Sequence, residues 1–170
     1  KWGACQNILS IAPGNNPNEG HVDSYSNSWN GGDTQIDITA WTAGGSSENQ
    51  RICLKFDFST LPSNATIDSA ILYLFAMPVP HGGNMVDANF GGANAGVIQR
   101  ITSGWPISSP PYTWNNQPST TSVNQAIIPQ STSSFSNTLV NVSALVMDMQ
   151  IKGNNGFFMR LQSEVPYNIK

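Results

Sequence analysis

Apolar residues fall at every second position through several short stretches of this chain. In RICLKFDFS (51–59), Ile52, Leu54, Phe56 and Phe58 make one face, and Cys53, Lys55 and Asp57 make the other. In TQIDITAW (34–41), Ile36, Ile38 and Ala40 alternate with Gln35, Asp37 and Thr39. ACQNILSIAP (4–13) sets Cys5, Leu9 and Ile11 on one side, and Phe157, Met159 and Leu161 repeat the pattern near the C-terminus. A period of two predicts strands with one buried face. HVDSYS (21–26), VIQRITSGW (97–105) and NTLVNVS (137–143) predict further short strands. IDSAILYLFAM (67–77) is apolar on both faces, which predicts a central strand or one lying under a loop.

Gly, Pro and Asn separate these runs. GNNPNEG (14–20), AGGSSENQ (43–50) and TLPSNAT (60–66) predict turns or loops, 78–96 a long loop, and PISSPPYTWNNQPSTT (106–121) an irregular stretch. SALVMDMQIKG (143–153) predicts the one helix, with Ser143 as N-cap, Gly153 as C-cap, and Leu145, Val146 and Met149 on its buried side. Many short strands and one short helix predict an all-β jelly-roll β-sandwich, with residues 1–170 as a single domain.

Composition narrows the function. Only 10% of the residues are charged, against about 25% in ordinary domains. Ser, Thr and Asn take their place, as in secreted modules. Such a surface can lie against sugars or against copies of itself with little charge to desolvate. The net charge is −3 with no basic run, which argues against nucleic acid. No apolar run approaches the length of a membrane span. No signal peptide is visible, as in a processed extracellular chain or a fragment. Cys5 and Cys53 form no CxxC pattern. They read as a disulfide or as two buried thiols.

Candidate chemistry is sparse. His21 and His81 sit in no nucleophile or metal motif, no G-x-S-x-G occurs, and the carboxylates are scattered, so the chain does not read as an enzyme. Asp23, Asn27, Asp33 and Asp37 offer oxygens for a structural calcium ion, or serve as solvated turn residues. Trp29, Trp41, Trp105 and Tyr112 are candidate platforms for sugar rings, or covers for the ends of the sandwich, and Trp114 reads as packed under its own loop. Arg51, Lys55 and Arg100 are candidate partners for an acidic sugar. Asn64 and Asn141 lie in N-x-S/T patterns, and Ser69 lies in a D-S-A pattern of the kind used for O-glycosylation.

Several segments, in order, resemble the DNRLRE-type (disaggregatase-related) extracellular jelly-roll domain. ILSIAPG and HVDSYS look like its opening. RICLKFDFSTLPSNATIDSAILYLF looks like its central hairpin, and VIQRITSGW with YTWNNQP looks like its signature. VNVSALVMDMQ and NNGFFMRLQSE look like its helix and the following strand. The resemblance implies a non-catalytic extracellular jelly roll, in a family that includes alginate-binding carbohydrate-binding modules. Two departures stand out. The acidic residue expected between the signature tryptophans, Trp105 and Trp114, is absent, and the family's last strand is missing after NNGFFMRLQSE. A sandwich short of a strand invites completion by a neighbouring chain, with residues 1–13 as the donor, giving a head-to-tail filament. The two functional expectations are therefore a self-assembling surface fibre and a carbohydrate-binding module of a secreted polysaccharide-active protein.

Overall fold

The structure is a computed structural model that describes residues 8–12, 19–31, 35–77, 87–105 and 112–170. Its elements, in chain order, are β1 (Glu19–Asp23), β2 (Ser28–Gly31), β3 (Thr39–Ala43), β4 (Ser46–Leu54), β5 (Ile71–Leu74), β6 (Gly96–Ile101), a 3-10 turn (Trp114–Asn116), β7 (Thr120–Ile128), β8 (Thr138–Asn141), α1 (Ser143–Lys152), β9 (Phe157–Leu161) and β10 (Asn168–Ile169). The strand pairs are antiparallel. One sheet runs β10-β3-β4-β9-β6-β7, with β1 added to β4 and β2 to β1; β5 and β8 form a second.

The alternation read in the sequence sets the register. Ile52 lies opposite Met159 and Leu54 opposite Phe157, while Met159 also faces Ile98. These side chains turn one face of the large sheet toward Leu72 and Val140 of the small sheet and toward Leu145, Val146 and Met149 of α1. The two layers form the expected β-sandwich. The opposite face of the same strands is also apolar at its centre. Val22, Cys53, Ile101 and Phe158 build a second cluster with Trp105 and Tyr112 from the segment that follows β6.

Several elements differ from the pattern. The loop expected over 43–50 is only Gly44-Gly45, both at positive φ, and β4 starts at Ser46. Two residues at positive φ are what a type I′ hairpin turn needs, so a Gly pair suffices to reverse the chain. β7 falls in a stretch read partly as irregular, because the run before Ala126 is mostly polar and its register breaks at a bulge opposite Gln99. Thr39, read as outward, is fully buried. The N-cap of α1 is Val142 rather than Ser143; the Ser143 hydroxyl instead accepts a hydrogen bond from the amide of Ala70. Residues 67–77 are not covered on both faces. Only Ile71–Leu74 form a strand, and Ile71 and Tyr73 are exposed.

The N-terminal strand expected over 4–13 falls largely outside the described residues. Within 8–12 no strand forms, and Ile8 and Leu9 are exposed. Cys53 is a free, buried thiol, its ionisation pushed up to about 12 by burial. Its expected partner, Cys5, lies outside the described residues.

The sequence reading leaves the segment after β9 without a strand, yet Asn168 and Ile169 form β10 on β3. Ile169 exchanges both backbone hydrogen bonds with Phe90, and Lys170 does the same with Ile38. The Asn168 side chain accepts from the amide of Ala93, and Asn94 donates to the Ile169 carbonyl. Gly91, at φ +90, makes room: a Cβ there would strike the Asn168 side chain and the Tyr167 carbonyl. A two-residue strand has no alternation to read, and side-chain amides do much of the holding. The outer edge of β3 is thus paired from the same chain at Thr39 and Ala40, and strand exchange between chains finds no support among the described residues.

Ile169 is 1% exposed. Replacing it with Ala should cost about 2–5 kcal/mol, the range for deleting a buried Ile side chain. Urea unfolding of the Ile169→Ala chain tests this; a loss below about 0.5 kcal/mol would show that β10 is only loosely docked.

Candidate functional site

Three of the four expected sugar platforms are covered. Trp41, Trp105 and Tyr112 are 7–8% exposed. The Trp105 indole donates to the Asn155 carbonyl, and the Tyr112 hydroxyl donates to the Gly104 carbonyl at 2.6 Å. Trp29 sets its edge against Trp105 at 5.8 Å and lies close over Gly20, where a Cβ would collide with its ring. Trp41 is held between Phe90 and Tyr167, at 5.7 and 5.2 Å. These rings cover the apolar outer face of the large sheet and the β10 end, so they offer little open ring face to a sugar.

Beside that cover runs a polar strip. Arg51 on β4 grips Glu164 with two hydrogen bonds, at 2.6 and 2.7 Å, and donates a third to Gln117 at 2.9 Å. Gln117 donates to the Trp114 carbonyl, and the Arg51 guanidinium stacks on the Trp114 ring 4.2 Å from its centre. Trp114 is therefore half-buried against the second cluster, with one face taken by Arg51. Across β9 and β6 the same face continues with Arg160 and Gln99. Gln99 donates to Gln125 and accepts from the Thr120 hydroxyl. Arg160 spends one donor on the Leu161 carbonyl, out of five that a guanidinium carries. These are planar amides and guanidiniums, several of them pinned by their neighbours, on a rigid sheet.

Arg51 is locked, so its charge is not free for an acidic sugar. Arg100 is not displayed either. It projects to the core face opposite Phe157, is 8% exposed, and its Nε meets no partner. Nearby Asp148 is held below its usual range by a hydrogen bond from Lys152, helped by Asn124 and the Arg100 charge against the opposing effect of burial. Lys55 lines an open pocket of about 470 Å³ with Phe56, Asp57, Phe58, Ser59 and Asn154. Asp57 there is engaged by Ser59, and Asn154 by Phe56 and Gly156.

The described residues among those considered for calcium are each engaged with other partners. Asn27 accepts from the Asn115 amide, Asp37 accepts from Thr39, and Asp33 lies outside the described residues. Asp23 caps its own turn, accepting from the amides of Tyr25 and Ser26. Among the described residues no group of three or more His, Cys, Asp or Glu could hold a metal.

Asp23 does meet a second carboxyl, Glu48, and the pair resembles an acid–base dyad. Burial first, then the hydrogen bond and charge of Asp23, raise Glu48 from 4.5 to about 7. Burial also pushes Asp23 upward, but hydrogen bonds from Glu48 and from the Ser26 and Tyr25 amides outweigh it and hold Asp23 low. The Gln50 side-chain amide donates to both carboxyls, to Asp23 at 3.4 Å and to Glu48 at 3.3 Å. His21 is engaged with Asn30, and His81 lies outside the described residues. Asn64, Ser69 and Asn141 are all exposed, and Asn141 also receives hydrogen bonds from Ser143.

Amides and guanidiniums on a sheet face can exchange hydrogen bonds with a hydroxyl-rich chain. A family model for carbohydrate-binding module family 96 matches residues 18–168. The chain belongs to that family. A search of curated proteins found no significant match. The polar strip of this CBM96 chain was not singled out from its sequence. Gln99, Gln117, Gln125 and Arg160 lie on separate segments, and only the register brings them together. No helix is long and apolar enough to cross a membrane among the described residues.

The Asp23–Glu48 pair gives a pH signature. Glu48 in the folded chain titrates near 7, above its ordinary 4.5. The folded state therefore keeps a proton that the unfolded chain releases, and the stability from this group falls as pH rises from about 4.5 to about 7. Glu48→Gln should flatten that fall and raise the melting temperature at pH 8. Melting curves at pH 5 and pH 8 check it; an unchanged slope in the variant would remove Glu48 as its source.

Proposed function

We propose that this CBM96 chain is a non-catalytic extracellular module that holds a soluble polysaccharide along the polar face of its large sheet. The observation that carries the reading is the strip formed by Arg160, Gln99 and Gln125 beside the Trp114–Arg51 stack. Its amides and guanidiniums are fixed before any ligand arrives, so little side-chain entropy is lost on binding. Each can exchange hydrogen bonds with sugar hydroxyls, and Arg160, with donors to spare, is the group suited to a sugar carboxylate such as those of alginate. Attachment to a secreted polysaccharide-active protein fits a module with this surface.

Affinity electrophoresis through gels containing alginate, pectin, xylan or mixed-linkage glucan tests this. At least one polymer should retard the protein, and Arg160→Ala or Gln125→Ala should weaken the retardation about tenfold, the equivalent of one good hydrogen bond at about 1.4 kcal/mol. Free migration through all four gels would sink the proposal.

A further inference from the structure

We propose that Asp148, on the core side of the large sheet, is a positioning residue that sets Gln125 on the ligand-facing side by holding Asn124 between them. β7 ends the sheet, so among the described residues no strand pairs with its outer edge. Within it the pairing with β6 breaks. Ile98 lies opposite Ala126 and Arg100 opposite Thr121, so Ser122, Val123, Asn124 and Gln125 together oppose Gln99 alone. All four are exposed. The extra residues of such an arch are left unpaired in the ladder. Side chains hold it instead. Thr121 Oγ1 accepts from the Val123 amide at 3.2 Å, Asn124 Nδ2 donates to Asp148 Oδ2 at 3.1 Å, and Gln125 accepts from Gln99 at 3.0 Å.

The Asn124 bond differs from the others in direction. Gln99 lies opposite Phe158, whose ring enters the second cluster, so Gln99 and Gln125 meet on the outer face. α1 packs on the inner face through Leu145, Val146 and Met149. Successive residues of the arch therefore reach to opposite sides of the sheet, Asn124 to the helix and Gln125 to the polar strip. Asn124 sits at φ 60, a left-handed conformation that Asn adopts more readily than most side chains. Asp148 is a firm anchor. It is 8% exposed, and Lys152, one turn further along α1, donates to its other oxygen at 2.8 Å. Fixing Asn124 fixes the backbone from which Gln125 departs, and a residue ordered beforehand loses no further entropy on binding. This inference rests on the proposed reading only for what Gln125 then grips.

The test begins with the full chain free of ligand. Asn124→Gly cuts the link to Asp148 and keeps the same backbone angle open without strain. Backbone amide order parameters from nitrogen relaxation should fall over residues 123–125 from about 0.85 to about 0.6 or below. On whichever gel polymer retards the wild type, this variant should bind about fivefold more weakly. A second pair of variants separates the link from general loosening. Asn124→Asp sets two carboxylates face to face and should lower order and retention in the same way. Asn124→Asp with Asp148→Asn exchanges donor and acceptor, and should restore most of both. Unchanged order over 123–125 in Asn124→Gly overturns the inference, whether or not any polymer is bound. So does unchanged retardation of that variant on a gel where Gln125→Ala is weakened, and so does an exchange no better than Asn124→Asp alone. Loss and recovery of order as stated, with free migration of the wild type through all four gels, supports the positioning and removes only the polar-face reading.

Discussion

The structure depends on strands that are apolar on both sides. Along β9, Phe157, Met159 and Leu161 enter the sandwich core, while Phe158 between them enters the second cluster. β4 does the same with Ile52 and Leu54 on one side and Cys53 on the other. A sheet of this kind cannot leave its outer face in water. Something must cover it, and the segment after β6 does so with Trp105 and Tyr112, while Trp29 and Trp114 close the margins. The hydrogen bonds of Trp105 and Tyr112 to backbone carbonyls satisfy the polar atoms buried with them.

That cover decides which surfaces are left for a ligand. It consumes most of the tryptophans, the residues a sugar site would ordinarily display. What stays open on the large sheet is the polar margin beyond the cover, and Arg51 ties that margin to the Glu164 segment and to the Trp114 turn in one network. Other rings stay exposed elsewhere on the chain: Tyr25, Tyr73, Phe75, Phe135 and Tyr167. The family match is to carbohydrate-binding modules.

Much of the fold was legible because alternation is a local signal. The faces of β4 and β9 and the buried side of α1 follow directly from residue spacing. What was not legible depended on long-range partners. β10 has two residues, and Asn94 and Asn168 help to fix it from opposite sides of the junction. β7 hides its inner face, Ala126 and Ile128, behind a bulge and a run of polar residues. The tryptophans were visible in the sequence but ambiguous, since covering a core and stacking on a sugar call for the same residue. Gln99, Gln125 and Arg160 gave no signal at all, because amides are abundant throughout this chain and only the pairing of β6 with β7 and β9 makes these three neighbours.

The central claim is that the polar face of the large sheet is where a soluble polysaccharide lies. Backbone and indole NMR shifts, followed while an oligosaccharide cut from the retarding polymer is added, address it most directly. The account predicts saturable changes at Gln99, Gln125, Arg160 and the Trp114 indole. Saturable changes confined to any other surface, with those four signals unmoved, would contradict it.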